Sequence, residues 1–436
     1  MNSSRVVITG LGAITSLGLT VSDMWAGLCA GRCGIGQIRA FDPVGFRCKL
    51  AGEVPDYKIR QYVPKSRRKS VKLMSRDIEL AIIAANEALT GSGLVTKGIN
   101  PESVNINPER MAINLGAGLI SCDLVELAPA VAASVTDGKF DIHKWGKDGL
   151  ELVTPLWLLK YLPNMLACHI GIIHDIQGPS NTITCAEASA HLAIGEAAQI
   201  IARGDAVYAL AGGAEAKVNP IVMIRQCLLK RAISDYGSEP DAACRPFDAD
   251  AKGSVFGEGA GIVVLERIEN AESRGAKIYA EVAGVGASNN INPSYVHLEP
   301  NARGTQIAIE KALTDAKIEP KDLDMIIPHG TGEPGDDLAE AKAIEAALGE
   351  AAAKTATLPT KSMLSNTGAA SGALDVIAAV CAMTAGRIPA AKNCDRKTDG
   401  CNLNIVKQAQ ETNIKYALCC SYTYGGQTAA VVLKRP

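Results

Sequence analysis

The stretch Gly178-Pro-Ser-Asn-Thr-Ile-Thr-Cys-Ala-Glu-Ala-Ser-Ala-His-Leu-Ala-Ile-Gly195 reads as a strand, a sharp turn and a small-residue helix ending near Arg203-Gly204-Asp205. That order presents a reactive side chain at a helix N-terminus, where the peptide dipoles and unpaired N–H groups favour an anion. Three later segments are polar and glycine-rich at strand ends: His329-Gly-Thr-Gly-Glu-Pro-Gly-Asp-Asp337, Thr360-Lys-Ser-Met-Leu-Ser-Asn-Thr-Gly368 and Ser421-Tyr-Thr-Tyr-Gly-Gly-Gln427. Together they carry the imidazole, ammonium and carboxyl groups on which acid–base chemistry draws.

These segments need a frame. Arg5-Val-Val-Ile-Thr-Gly-Leu-Gly12 reads as a strand running into a glycine turn. Gly10 and Gly12 echo a dinucleotide loop, but the third glycine is misplaced and no acidic residue ends a second strand, so no nucleotide is expected. Residues 76–92 have helical period, and the segments at 111–116, 207–215 and 259–266 read as buried strands. A second series follows residue 270: strands at 278–286 and 324–328, helices at 305–316, 337–348 and 372–385, and closing strands at 416–421 and 429–434. Alternating strands and helices mean a layered α/β fold, and two similar series suggest a duplication, with halves at 1–265 and 266–436. No low-complexity linker parts them, so they should pack as one body.

The 436 residues are 47% hydrophobic and 21% charged, enough apolar surface for a sizeable core. Lys plus Arg (44) nearly balances Asp plus Glu (46), which argues against nucleic acid as the main partner. The opening residues lack a secretory pattern, and no run of 18 apolar residues is apparent, so no membrane span and a cytoplasmic location are expected. The 13 cysteines should be free thiols. Cys29 with Cys33, and Cys419 with Cys420, lack the second half of a zinc site, and no metal is expected.

The ordered motifs, taken together, resemble the β-ketoacyl-acyl-carrier-protein synthases, closest to the type II elongation branch. They run from Val7-Ile-Thr-Gly-Leu-Gly12 through Asn164-Met-Leu-Ala-Cys-His169, Leu210-Ala-Gly-Gly-Ala-Glu215, Arg245-Pro-Phe-Asp248 and Gly257-Glu-Gly-Ala-Gly261 to His329-Gly-Thr331, Thr360-Lys-Ser-Met363 and Gly425-Gly426. The resemblance implies a thiolase-like, five-layered αβαβα fold of two similar halves, usually dimeric, and acyl transfer in fatty-acid or polyketide synthesis. It implies no cofactor of the chain's own, since phosphopantetheine arrives on the carrier protein.

The family pattern of one Cys and two His is altered. Counting from both flanks puts the nucleophile position on Glu187, with Cys185 two residues early and read as a core thiol. His329 matches the first His and Asn366 replaces the second. Lys361 matches the active-site Lys, and Glu340 is taken as its acidic partner. Substrate-contact positions fall on Ser254, Thr331, Glu333, Thr423 and Tyr424.

Condensation needs a thiolate, so the Cys-to-Glu change argues against it. The leading expectation is carrier-thioester decarboxylation or hydrolysis, with Glu187 as base oriented by His329 and Asn366. The alternative is a non-catalytic partner subunit like the chain length factors, in a heterodimer with an active ketosynthase rather than a homodimer. The basic run with Lys65, Arg67, Arg68 and Lys69 should start the helix before Arg76 and dock an acidic acyl-carrier protein. His143, His174, His191 and His297 match no motif and are read as structural or surface residues.

Overall fold

The computed structural model describes residues 5–237 and 239–436; Met1–Ser4, which opened the leader argument, lie outside the described residues. Eleven strands form one sheet: β1 (Val6–Ile14), β2 (Met111–Ala117), β3 (Ser180–Ile183), β4 (Tyr208–Ala216), β5 (Glu258–Arg267), β6 (Ala280–Asn289), β7 (Met325–Ile327), β8 (Ala356–Thr357), β9 (Asn404–Ile405), β10 (Tyr416–Tyr422) and β11 (Gln427–Lys434). Their order is β9-β8-β7-β10-β11-β6-β1-β5-β4-β2-β3.

The duplication is visible in this order. From β1 outward the neighbours β5 and β4 pair antiparallel, and β2 and β3 parallel. From β6 outward β11 and β10 pair antiparallel, and β7 and β8 parallel. The two series meet where β1 pairs with β6, Val7 opposite Glu281.

Among the described residues the helices include α1 (Val21–Cys29), α2 (Arg76–Ser92), α3 (Met165–His174), α4 (Ser189–Arg203), α5 (Pro220–Leu228), α6 (Arg303–Ala316), α7 (Pro334–Leu348) and α8 (Ser371–Ala385). Gly93 and Gly204, both left-handed, end α2 and α4. Helices α4 and α8 are enclosed, sharing a core with β1, β5, β10 and β11. Helix α2 covers the outer face of the first series, and α6 and α7 that of the second.

Gly10 and Gly12 make no turn; they lie inside β1, where a Cβ would stand 2.2 Å from the Ala88 carbonyl and 1.9 Å from that of Ala84 on α2. Gly284 and Gly286 on β6 repeat this against Ala312 and Ala308 of α6, at 2.3 and 2.0 Å. The glycines are therefore helix-packing devices, and a methyl group at either pair forces layers apart at a cost of about 1–3 kcal/mol.

The expectation of no membrane span is compatible with the one apolar helix, and the expectation for the basic run is corrected. Gly368–Ala385 is long and apolar enough by composition to cross a membrane, but 83% of it is buried inside the protein as a core helix. The basic run forms its own 3₁₀ helix, Lys65–Leu73, separated from α2 by an extended Met74 and Ser75.

Candidate active site

Glu187 sits in a single 3₁₀ turn, Ala186–Ala188, between β3 and α4. Ala186 takes φ of 41°, the strained sharp turn that projects the next side chain inward at the helix N-terminus. Glu187 is fully buried. Its Oε1 accepts from Arg231 Nη2 at 3.0 Å and, at a long 3.5 Å, from Asn366 Nδ2. Its Oε2 has no hydrogen-bond partner among the described residues.

Arg231 was not legible as a site residue. It follows α5, is 3% exposed, and lies between the Phe256 ring (5.5 Å) and the Tyr424 ring (4.7 Å). Its Nη1 donates to Gln226 Oε1 at 3.3 Å. A faint signal exists in Leu228-Leu-Lys-Arg-Ala-Ile233, where two cations sit among apolar residues. Burial pushes the Glu187 carboxyl up, but the Arg231 charge, helped by Lys217, outweighs it and holds the group well below the usual carboxylate range.

His329 follows β7 and is fully buried. Burial, reinforced by the Lys361 charge, pushes the imidazole well below its ordinary value, so it is neutral. Neither ring nitrogen has a hydrogen-bond partner, and its ring stands edge-on to Tyr422 at 4.5 Å. It lies within electrostatic reach of Glu187, Arg231 and Lys361, but the expectation that it orients Glu187 by a hydrogen bond is not met.

Glu340 is not the partner of Lys361. Its carboxylate accepts the backbone N–H groups of His329 (2.7 Å) and Gly330 (2.8 Å), fixing the turn that carries the imidazole. Lys361 Nζ instead pairs with Asp375 Oδ2 at 2.9 Å, and Thr360 Oγ1 donates to the other oxygen at 2.6 Å. Asp375 is the one acid in the apolar helix α8, and a buried carboxylate requires such a partner.

The remaining residues divide. Ser254 is buried, its backbone laddered to Arg231 and Ile233, so it belongs to the Arg231 wall. Tyr424 joins the same wall, and Thr423 closes the β10–β11 hairpin by bonds with Gln427 and Gly426. Thr331 is held by Asp337, whose Oδ1 accepts its N–H at 2.7 Å. Glu333 stands apart, capping α7 and facing His297 at 3.8 Å. Lys65, Arg67, Arg68 and Lys69 are exposed. Cys185 is half-buried rather than a core thiol, because β3 is the last strand of the sheet. His174 and His191 are buried and bonded to Thr96 and Ser421, each through Nδ1.

With the fold and this geometry in hand, known proteins can be set beside the chain. Its residues 3–271 match the N-terminal domain of β-ketoacyl synthase, and residues 279–395 match the C-terminal domain. The 3-oxoacyl-[acyl-carrier-protein] synthase 2 of Vibrio cholerae serotype O1 is 34% identical over 440 residues, 100% of either chain.

The chain belongs to the β-ketoacyl synthase family.

Among solved structures, the ishigamide ketosynthase/chain length factor is 31% identical and covers 100% of both chains with a TM-score of 0.84. A β-ketoacyl synthase from Burkholderia phymatum STM815 is 27% identical, covering 99% of this chain and 100% of its own, with a TM-score of 0.86. The ketosynthase scaffold is thus retained throughout, while a buried ion pair stands at the turn between β3 and α4.

Proposed function

We propose that this ketosynthase homologue does not condense acyl chains and serves as the non-catalytic partner of an active ketosynthase in fatty-acid or polyketide synthesis, in the manner of a chain length factor. The Glu187–Arg231 pair is the observation that carries this reading. A general base works best with a pKa near the working pH, and a carboxylate held far below that range takes up a proton poorly. Asn366 offers no second imidazole, and burial pushes up the thiol of Cys185, which caps the turn, and so disfavours a thiolate there. This favours the partner role over decarboxylation or hydrolysis driven by Glu187.

The exposed surface supports an assembled subunit. Strand β3 ends the sheet with Ser180 and Asn181 exposed. Leu119, Val125, Phe140, Ile142, Leu156 and Leu158 are all more than half exposed. An unpaired strand edge and apolar side chains of this kind are what a second subunit covers.

The test is co-expression with a ketosynthase that keeps Cys and two His, followed by light scattering and by mass spectrometry of malonyl- and acyl-carrier protein. A mixed dimer that condenses, with no thioester loss by this chain alone, is expected. Turnover by the isolated chain that collapses in Glu187→Gln would overturn the proposal in favour of the Glu187-base enzyme.

A further inference from the structure

We propose that His297, Glu333 and Asp336 form a binding site for a divalent transition-metal ion at the first turn of α7. His297 Nδ1 lies 3.8 Å from Glu333 Oε2 and 3.6 Å from Asp336 Oδ1. The three atoms all fall within 4.8 Å of one another. Metal bonds to imidazole nitrogen and carboxylate oxygen run about 2.0–2.2 Å, so ligand atoms around a tetrahedral ion stand about 3.4 Å apart. The two distances to His297 exceed that by a few tenths of an ångström, within the swing of a half-exposed imidazole.

Both oxygens are fixed by the backbone. Glu333 Oε2 accepts the Asp336 N–H at 2.7 Å as the cap of α7. Asp336 Oδ1 accepts the Leu298 N–H at 2.8 Å, next to His297 on the loop that follows β6. Each oxygen keeps a second lone pair for an ion. Among the described residues His297 is the only basic side chain within 4.0 Å of either carboxylate. Two carboxylates therefore share one imidazole at contact distance.

One imidazole with two carboxylates suits Zn²⁺, Co²⁺ or Mn²⁺ better than Mg²⁺ or a thiolate-seeking ion. His297 is 42% exposed and gives an entry path. This site does not depend on the catalytic standing of Glu187, and a loaded ion ties the His297 loop to α7.

The experiment uses the tag-free full chain, stripped with EDTA and titrated with Co²⁺ while visible d–d absorption is followed, and with Zn²⁺ by calorimetry. One ion per chain is expected, with affinity falling at least about 10-fold in both His297→Ala and Glu333→Gln. Zn²⁺ should raise the melting temperature of the wild type but not of His297→Ala, whose melt in EDTA should match the wild type. No saturable binding below about 100 µM overturns the site. Wild-type affinity in both variants also overturns it, placing the ion on other ligands such as the free thiols.

Discussion

Arg231 Nη2 donates to Glu187 Oε1 across 3.0 Å, and neither side chain is more than 4% exposed. The pair sits at the sharp turn between β3 and α4, and Tyr424 and Phe256 close over the guanidinium. An acid that reads from sequence as a catalytic base is one half of a neutralised pair.

Removing one partner strands the other. Arg231→Met should lower stability by about 3–5 kcal/mol, because Glu187 is left charged and buried. Adding Glu187→Leu should recover all but about 1 kcal/mol, since well-packed apolar replacements of a buried pair are often neutral. Denaturant unfolding of the two single variants and the double variant measures this. A double variant as unstable as Arg231→Met alone would mean that packing, not the pair, sets the loss.

Installing the missing thiol should not restore condensation. In Glu187→Cys, Asn366 still stands where a second imidazole is required, and Arg231 is left without its carboxylate. Condensation followed with acyl- and malonyl-carrier protein should stay at background. Robust product from this single variant would show that the scaffold tolerates Asn366.

Burial pushes the Glu340 carboxyl from its ordinary 4.5 up to about 8, against the pull of the two N–H groups it accepts. A raised acid stabilises the fold fully below its unfolded pKa, and that contribution is lost as pH rises through the folded value. The buried His191, pushed down to about 3, works in the opposite sense, so the comparison with a variant is the useful quantity. Between pH 5 and pH 8 the wild type should lose more stability than Glu340→Gln, as read from melting temperatures across that range. Parallel profiles would mean that Glu340 is already ionised at pH 5.

The exposed Arg67, Arg68 and Lys69 should govern carrier-protein capture. Rim charges mainly set association rate and salt dependence. Changing all three to Glu should weaken binding at least about 10-fold at low salt, with the gap closing as the Debye length shrinks. Surface plasmon resonance over a salt series measures it, and unchanged affinity removes this face from carrier docking.

Sequence alone determined the layered frame, because period and punctuation are local. The alternating strands and helices, the helix over 76–92 and the stop at Arg203-Gly204 follow from side-chain spacing and from glycine's access to left-handed backbone. Glu187 at a helix N-terminus was legible in the same way, because the turn and the helix are neighbours in the chain.

What only the tertiary structure decided were the partners. Arg231 lies 44 residues from Glu187, and its role depends on the segment after α5 reaching the Glu187 turn. Glu340 matches the position of the family's acidic partner for Lys361, yet its carboxylate turns back to the His329 and Gly330 N–H groups, and Asp375 takes the lysine. The glycines of β1 told the same story, since a strand packed against a helix and a phosphate loop both ask for a missing Cβ. A charged group's chemistry depends on what neutralises it, and in a buried site that group comes from a distant part of the chain.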